Sequence, residues 1–183
     1  GGELPQQLYC SVGGDNIAGG AQATRHLLQA GRERIVFLGD ADLPEVWLRR
    51  QGYFQAHREA GIASDGQLEL AVPFEPDAAR PAIDRLCRSK LKFDGVVACS
   101  DLLAIETMQA LRLAGRAVPK DVSVVGYDDM PLAAYCEPPL TTIHQPVAQA
   151  GAELVDALLL LLRGERALPR TFAVSMVVRA SAP

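Results

Sequence analysis

The 183-residue chain lacks an excess of positive charge and any long apolar run. Its net charge is -4 and its pI is near 5.4, so it has no overall basic footprint for contacting nucleic-acid phosphates. The most apolar stretch, LLLLL at 158–162, is bounded by Asp156 and Arg163 and falls well short of the roughly 20 residues that span a bilayer. The start, GGELPQQ, has no pattern of a secretory signal. We expect a cytoplasmic protein with no membrane contact.

Cysteine is scarce and scattered. The four cysteines, Cys10, Cys87, Cys99 and Cys136, form no C-x-x-C pair and lie at no zinc-binding spacing from a histidine. Isolated cysteines in apolar runs are typical of small buried side chains in a reducing compartment. The sequence therefore predicts no disulfide framework and no metal site.

Catalytic signatures are also missing. The chain has no G-x-x-x-x-G-K-[ST] phosphate loop and no G-x-S-x-G elbow, and GGDNIAGG at 13–20 lacks the spacing of a dinucleotide-binding turn. The three histidines are far apart, and no nucleophile stands beside one of them. We predict that the protein is not an enzyme and needs no cofactor.

Short β-branched apolar runs alternate with helical patterns along almost the whole chain. This alternation predicts a doubly wound α/β layer with a mostly parallel sheet and helices on both faces. Strands are predicted at 9–12, 34–38, 68–72, 95–99, 122–126 and 171–178. Helices are predicted at 18–30, 46–60, 77–88, 102–114 and 146–163. Residues 141–144 read as an extended stretch between them.

Polar and aromatic side chains follow several of the predicted strands. Arg49 and Phe74 come after the second and third strands, Ser100 and Asp101 after the fourth, and the pair Asp128–Asp129 after the fifth. Because ligands bind outside the carboxyl ends of strands in open α/β sheets, these residues are candidates for one site. An arginine, a hydroxyl, carboxylates and an aromatic ring suit a polyhydroxylated or heterocyclic ligand.

Each candidate also has a purely structural interpretation. Asp101 could cap the helix that follows it, and Asp129 could cap a short turn that opens at Pro131. Phe74 could be a core residue, and Arg49 a solvated one. Asp128 favours a ligand role most, because a carboxylate at the end of a buried strand is costly unless it is paired. A metal bound by both aspartates is disfavoured, since adjacent side chains on an extended segment point apart.

Three stretches resemble the lactose-repressor (LacI/GalR) family of bacterial transcription regulators. They are DNIAGGAQATRHLLQAGRERIVFLG, RRQGYFQAHREAGI, and the combination of VPKDVSVVGYDD with PPLTTIHQP. The resemblance extends over nearly the whole chain, and the last combination is highly specific. It implies an N-terminal helix-turn-helix, a hinge helix and a two-lobed core similar to periplasmic sugar-binding proteins.

The resemblance also implies a division of this chain. Residues 1–17 would be the last part of the N-terminal lobe and its crossover, and residues 18–144 the C-terminal effector-binding lobe. Residues 145–170 would cross back and supply a helix of the N-terminal lobe, and residues 171–183 would close the C-terminal lobe. The helix-turn-helix and most of the first lobe would then lie outside this sequence, and the helix at 146–163 would lack the sheet that it covers.

The resemblance implies roles for individual residues. Arg49 and Asp128 match residues that hydrogen-bond the effector, Phe74 matches a stacking aromatic, and Ser100 departs from the usual Asn-Asp motif. Three further candidates lie near the crossover or on a neighbouring loop: Gln145, Val147 and Glu45. The implied effector is a sugar, a sugar acid or a nucleoside.

The expected assembly is a homodimer formed by the C-terminal lobes. The implied interface comprises the helix at 102–114 and the segment at 132–137, with the candidates Leu102, Ile105, Met108, Gln109, Leu132 and Tyr135. We predict the effector-binding and dimerisation region of a transcription regulator that contacts DNA only through a domain outside this chain. The alternative is a periplasmic-type solute-binding module of a sugar transporter.

Overall fold

A computed structural model describes residues 10–183, so the part of the predicted first strand at Tyr9 lies outside the described residues. The α-helices are α1 (Asn16–Gln29), α2 (Pro44–Glu59), α3 (Ala79–Arg88), α4 (Asp101–Leu113) and α5 (Val147–Leu162). The strands are β1 (Val12–Gly14), β2 (Ile35–Leu38), β3 (Glu69–Leu70), β4 (Gly95–Ala98), β5 (Ser123–Asp128), β6 (Thr141–His144), β7 (Arg170–Phe172) and β8 (Ser175–Val177). Short 3₁₀ helices cover Gly66–Leu68 and Pro131–Ala134.

Six strands form the main sheet in the order β3-β2-β4-β5-β6-β8. The first five run parallel, and β8 pairs antiparallel with β6. Strands β2 and β4 are buried along their whole length, as their continuous apolar sequences IVFL and GVVA predict for a sheet covered on both faces. The predicted α/β class with a mostly parallel sheet is confirmed.

The helices that cover the sheet form two pairs, α1 with α2 and α3 with α4. The first pair packs unusually closely at two glycines. A Cβ added to Gly20 would lie 2.0 Å from the Arg49 carbonyl oxygen, and one added to Gly52 would lie 2.1 Å from the Ile17 carbonyl oxygen. Only glycine allows the two backbones to approach this far, and the contact fixes α2 against α1.

The sequence prediction was wrong at three edges of the sheet. The stretch at 141–144 is a true strand, β6, and the predicted strand at 68–72 is a 3₁₀ turn followed by the two-residue β3. The predicted strand at 171–178 is divided into β7 and β8, which enter different sheets. Only β8 closes the main sheet, because β7 pairs parallel with β1 in a separate two-stranded sheet.

Helix α5 contacts this small sheet through β1, and none of its 16 residues is buried. Most of its large apolar side chains are half-exposed or more, for example Leu158 at 55% and Leu162 at 74%. We refer to β1, β7 and α5 as the small unit and to the rest of the described chain as the main lobe. The four cysteines are free thiols. In residues 10–183, no helix is long and apolar enough to cross a membrane.

Candidate functional site

A cleft of about 220 Å³ lies outside the carboxyl ends of β2, β4 and β5. Its lining brings together four of the residues that the sequence singles out with three apolar neighbours: Leu43, Glu45, Val46, Arg49, Phe74, Cys99 and Asp128. This is the position at which open α/β sheets bind small molecules.

Arg49 projects from α2 into the base of the cleft and is almost fully buried. Its Nε donates to Asn16 Oδ1 at 2.8 Å, and its Nη1 donates to the carbonyl oxygen of Cys99. The guanidinium also stacks on the ring of Tyr127, with 3.7 Å between Cζ and the ring centroid. Three elements therefore hold the planar group in one orientation, and Nη2 donates to no partner among the described residues.

Asp128, the last residue of β5, stands across from Arg49 in the lining of the cleft. Its Oδ1 accepts a hydrogen bond from Gln145 Nε2 at 2.7 Å, while Oδ2 has no partner within residues 10–183. Burial raises the pKa of the Asp128 carboxyl, and the charge of Arg49 and the bond from Gln145 oppose that rise. One carboxylate oxygen is thus fixed and the other is available to a hydroxyl or N–H donor.

The backbone of the aspartate pair is strained. Asp128 has a φ of 110° and Asp129 a φ of 54°, both in the region that favours glycine. Such conformations cost on the order of 1–3 kcal/mol per residue and persist where the surroundings hold them. Here the holding contacts come from three other segments through the side chains of Asp101, Gln145 and Arg179.

The structure differs from the prediction at both Ser100 and Asp101. Ser100 is the N-cap of α4, since its hydroxyl accepts from the Leu103 amide, and it is buried outside the cleft lining. Asp101 is fully buried and accepts from the Thr142 hydroxyl and from the Met130 amide at 2.7 Å. Burial raises its pKa to about 6, against the opposing hydrogen bonds from Thr142 and Met130. Asp101 therefore ties α4 to the strained turn instead of capping the helix.

Asp129 does not cap the turn that follows it, which the sequence predicted. The N-cap of the 3₁₀ helix is Met130, which makes no side-chain capping bond. Asp129 accepts from Arg179 Nη2 at 2.7 Å and contacts His144 Nδ1 at 3.0 Å. Burial works to raise the pKa of Asp129, but the bonds from Arg179 and His144 outweigh it and lower the pKa.

The remaining site candidates fall into three groups. Phe74 and Glu45 line the cleft, with the Phe74 side chain 54% exposed at its mouth. Gln145 acts on the cleft indirectly through its bond to Asp128. Val147 is 67% exposed and lies outside the cleft lining, so the main lobe does not use it as a pocket floor.

The residues predicted for the dimer interface differ in how far they are exposed. Met108 is buried in the core of its own lobe, and Ile105 packs partly against that core. Leu102 is half-buried, whereas Gln109 is exposed. Leu132 and Tyr135 expose 53% and 85% of their surface on the segment around the second 3₁₀ helix. Only part of the predicted set is thus free to contact another chain.

Two larger grooves, of about 480 and 560 Å³, lie at the opposite edge of the main sheet. They share Cys87 and Arg116 and have solvated rims that mix basic and acidic side chains. They lie outside the amino ends of the strands, where α/β sheets do not usually bind ligands. Within residues 10–183, no group of three or more histidine, cysteine, aspartate or glutamate side chains could hold a metal ion.

The sequence alone did not predict the contacts by which Asn16 and Tyr127 support the site. Asn16 begins α1 and Tyr127 precedes Asp128, and both fix the guanidinium of Arg49. Asn16 directly follows Asp15, the N-cap residue of α1, whose side chain accepts a hydrogen bond from the Ala18 amide. This position at the start of a helix was the available sequence signal for Asn16. The sequence placed Tyr127 beside Asp128 after the fifth predicted strand, but it did not predict that the ring of Tyr127 stacks on Arg49.

The sheet topology and the cleft define one lobe of a domain that binds a small molecule at the carboxyl ends of its strands. The model of the periplasmic binding protein-like domain matches residues 24–182. The chain belongs to this family and, within it, to the LacI-family transcription regulators, whose effector-binding region it matches.

Individual relatives support this assignment. The HTH-type transcriptional regulator CelR of Thermobifida fusca is 37% identical over 167 residues, which cover 91% of this chain and 49% of the relative. A solved complex of CelR with cellobiose has a TM-score of 0.92 and 34% identity, over 97% of this chain and 55% of that one. A LacI-family regulator of Enterococcus faecium with bound ribose has a TM-score of 0.85 and 27% identity, over 98% of this chain and 67% of that one.

The chain spans about half the length of the curated relatives it matches. Those relatives are transcription regulators and repressors, so the alternative of a transporter component is not favoured. The complexes with cellobiose and ribose are sugar complexes of those proteins.

Proposed function

We propose that this chain is the effector-binding and dimerisation region of a LacI-type transcription regulator, and that its effector binds in the cleft between Arg49 and Asp128. The observation that carries this proposal is the pairing of a free Arg49 Nη2 with a free Asp128 Oδ2 in one cleft. The same chain performs no catalysis in this proposal. The intact regulator would act on DNA in the cytoplasm through a domain outside this sequence.

Hydroxyl groups fit the two free atoms better than other common groups. Each hydroxyl can donate to the Asp128 carboxylate and accept from the Arg49 guanidinium, so one or two adjacent hydroxyls satisfy both. The exposed ring of Phe74 offers an apolar face to the C–H surface of a sugar or to a base. A sugar, a sugar acid or a nucleoside would meet these contacts.

The response to the effector would pass through Gln145. This residue joins Asp128 to the crossover between β6 and α5, and its side chain lies beside Gly14 at the other crossover. An effector that binds Asp128 would therefore change the preferred position of the small unit relative to the main lobe. A shift in that equilibrium would alter how the intact protein holds DNA.

We further propose that residues 10–17 comprise the end of a second lobe and the crossover into α1, and that the segment from 145 to β7 crosses back and belongs to that second lobe. In this proposal β8 and the residues after it belong to the main lobe. The parallel pairing of β1 with β7 and the contact of α5 with β1 support this division. The exposed leucines of α5 would be covered by the rest of that lobe.

The segment around the second 3₁₀ helix would form the dimer contact together with the exposed side of α4. Leu132 and Tyr135 supply the apolar surface. Replacing both with aspartate should convert a dimer into a monomer in analytical ultracentrifugation of the intact regulator. A dimer that persists in the double variant would remove this surface from the interface.

The site is tested most simply in the intact regulator with its operator and a panel of sugars. Asp128→Asn should weaken the effector response by about 10–100-fold, because hydrogen bonds to charged groups contribute about 1.5–3 kcal/mol. Arg49→Ala should weaken it at least as much. Operator binding without effector should stay unchanged in both variants.

A matched control is Asp84→Asn, because Asp84 lies in the groove at the opposite edge of the sheet. Its dose-response curve should coincide with that of the wild type. If the Asp128 and Arg49 variants also respond like the wild type, the cleft is not the effector site.

A further inference from the structure

The charges in the cleft do not balance. Among the described residues that line the cleft, Glu45 and Asp128 carry carboxylates and Arg49 is the single cation. Arg49 faces Asp128 and lowers the cost of that buried carboxylate. The cleft therefore holds one negative charge more than it holds positive charges.

Arg49 has little capacity left for a second anion. Its Nε and Nη1 are bound by Asn16 and Cys99, its face is covered by Tyr127, and only 8% of the residue is exposed. A ligand reaches the guanidinium only at Nη2. An anionic ligand group at that position would also stand next to Asp128.

Glu45 is the uncompensated carboxylate. It lies in the first turn of α2, where the helix dipole favours a negative charge, and it is half-buried. None of residues 10–183 forms a hydrogen bond or an ion pair with its carboxylate within the usual distances. Glu45 thus presents acceptor atoms to the cleft that no donor among the described residues satisfies.

We propose that Glu45 sets the charge class of the effector. The cleft accepts a saccharide that presents a hydroxyl or ammonium donor to Glu45, and it rejects one that presents a carboxylate or phosphate there. This inference rests on the proposed effector site and narrows it, because it removes sugar acids from the classes that the residue types alone allow.

The chemistry behind the selection is the difference between donors and acceptors. A hydroxyl or ammonium group donates a hydrogen bond to a carboxylate, and the charge assistance makes that bond strong. A carboxylate on the ligand can only accept, so it leaves Glu45 without a donor and adds repulsion between like charges. Discrimination by repulsion is an effective route to specificity in a binding site.

The test uses matched saccharides that differ in charge at one substituent, titrated calorimetrically into the intact protein. The probes are glucose, glucosamine and glucuronate, the corresponding galactose and mannose series, and the pair of cellobiose and its uronic acid, cellobiuronate. We expect the neutral or ammonium member of the series that binds to exceed its carboxylate counterpart by at least about 10-fold in affinity, which is about 1.4 kcal/mol.

The variant Glu45→Gln sharpens the test. It removes the charge with little change in shape, and it should reduce the neutral-to-carboxylate affinity ratio by about 10-fold, because the neutral sugar loses a charge-assisted bond and the carboxylate member loses a repulsion. Glu59→Gln is the matched control, since Glu59 lies about four turns further along α2 and pairs with Arg25 on the surface. Glu45→Ala, checked for folding by circular dichroism, should reduce the ratio in the same direction.

Three results would overturn the proposal. A carboxylate member that binds as tightly as its neutral counterpart, with binding lost in Asp128→Asn, refutes the role of Glu45 but keeps the effector site. An affinity ratio unchanged in both Glu45 variants has the same meaning. Absence of binding by every probe counts against the effector site itself and therefore against both proposals.

Discussion

The main lobe and the small unit use the same apolar residues with opposite results. In α4 the side chains of Leu103 and Leu111 are fully buried between the sheet and α3. In α5, which is richer in leucine, Leu158 and Leu161 remain more than half exposed. The first helix has a six-stranded sheet to cover, whereas the second has two short strands.

An apolar helix is therefore buried only where a second surface is present to cover it. A helix that is apolar around most of its circumference is normally buried, and a large exposed apolar face marks a contact with something else. The main lobe has its core and its ligand cleft within the described chain. The small unit has neither, and its role depends on the surface that covers α5.

The largest difference is expected between matched leucines. Leu111→Ala should lower the free energy of unfolding by about 2–5 kcal/mol, because it removes a fully buried side chain and leaves a cavity. Leu158→Ala should change it by less than about 1 kcal/mol, since more than half of that side chain is already in water. Chemical denaturation followed by circular dichroism measures both. Equal effects would mean that α5 is packed as tightly as α4.

Matched glycines give the next largest difference. Gly52→Ala should destabilise the main lobe by about 1–3 kcal/mol or more, because the added methyl group would collide with the backbone of α1. Gly151→Ala in α5 meets no atom within 4 Å and should stabilise that helix by up to about 1 kcal/mol. Thermal unfolding and helix content report on the pair. A neutral Gly52→Ala would remove the argument that close helix approach positions Arg49.

A smaller effect is expected in the pH dependence of the free energy of unfolding of the main lobe. Asp101 has a pKa of about 6 in the folded main lobe, above its value of about 4 in an unfolded chain. Between these pH values the Asp101 carboxyl is protonated more often in the folded state than in the unfolded state. The contribution of Asp101 to the free energy of unfolding therefore falls as pH rises from 4 to 6. Through this group, lowering the pH from 7 to 5 should increase the free energy of unfolding by about 1 kcal/mol.

Two variants isolate the contribution of Asp101. Asp101→Asn should remove this part of the pH dependence. Thr142→Val should move it to higher pH, because the hydroxyl of Thr142 lowers the pKa of Asp101. A difference between the wild-type and Asp101→Asn profiles that rises between pH 4 and pH 6 would contradict the assigned direction. The measurement is urea unfolding at a series of pH values.

The sequence predicted the parts of the site that depend on local order. Strands β2, β4 and β5 were recognisable as apolar runs, and the residues after them had to meet at one edge of a parallel sheet. This reasoning, with the family resemblance, led to Arg49, Phe74 and Asp128, and it included Glu45 on a neighbouring loop.

The parts that it missed depend on distant partners. Ser100 and Asp101 can both cap a helix, and the bond from the strand residue Thr142 to Asp101 helps to decide that Ser100 is the one that caps α4. The role of Asp129 depends on Arg179, which lies 50 positions further along the chain. The division of the last strand into β7 and β8 depends on β1 and β6 as competing partners. No local pattern contains such information.

Hydrogen exchange with and without a bound saccharide tests the location of the effector site most directly. We predict slower exchange, on binding, at the start of α2 from Pro44 to Arg49, at the junction of β4 and α4, and in the turn from Asp128 to Met130. The groove at the opposite edge, lined by residues such as Lys90 and Arg116, should not change. Slower exchange at that groove, with the start of α2 and the Asp128 turn unaffected, would contradict the assignment of the cleft.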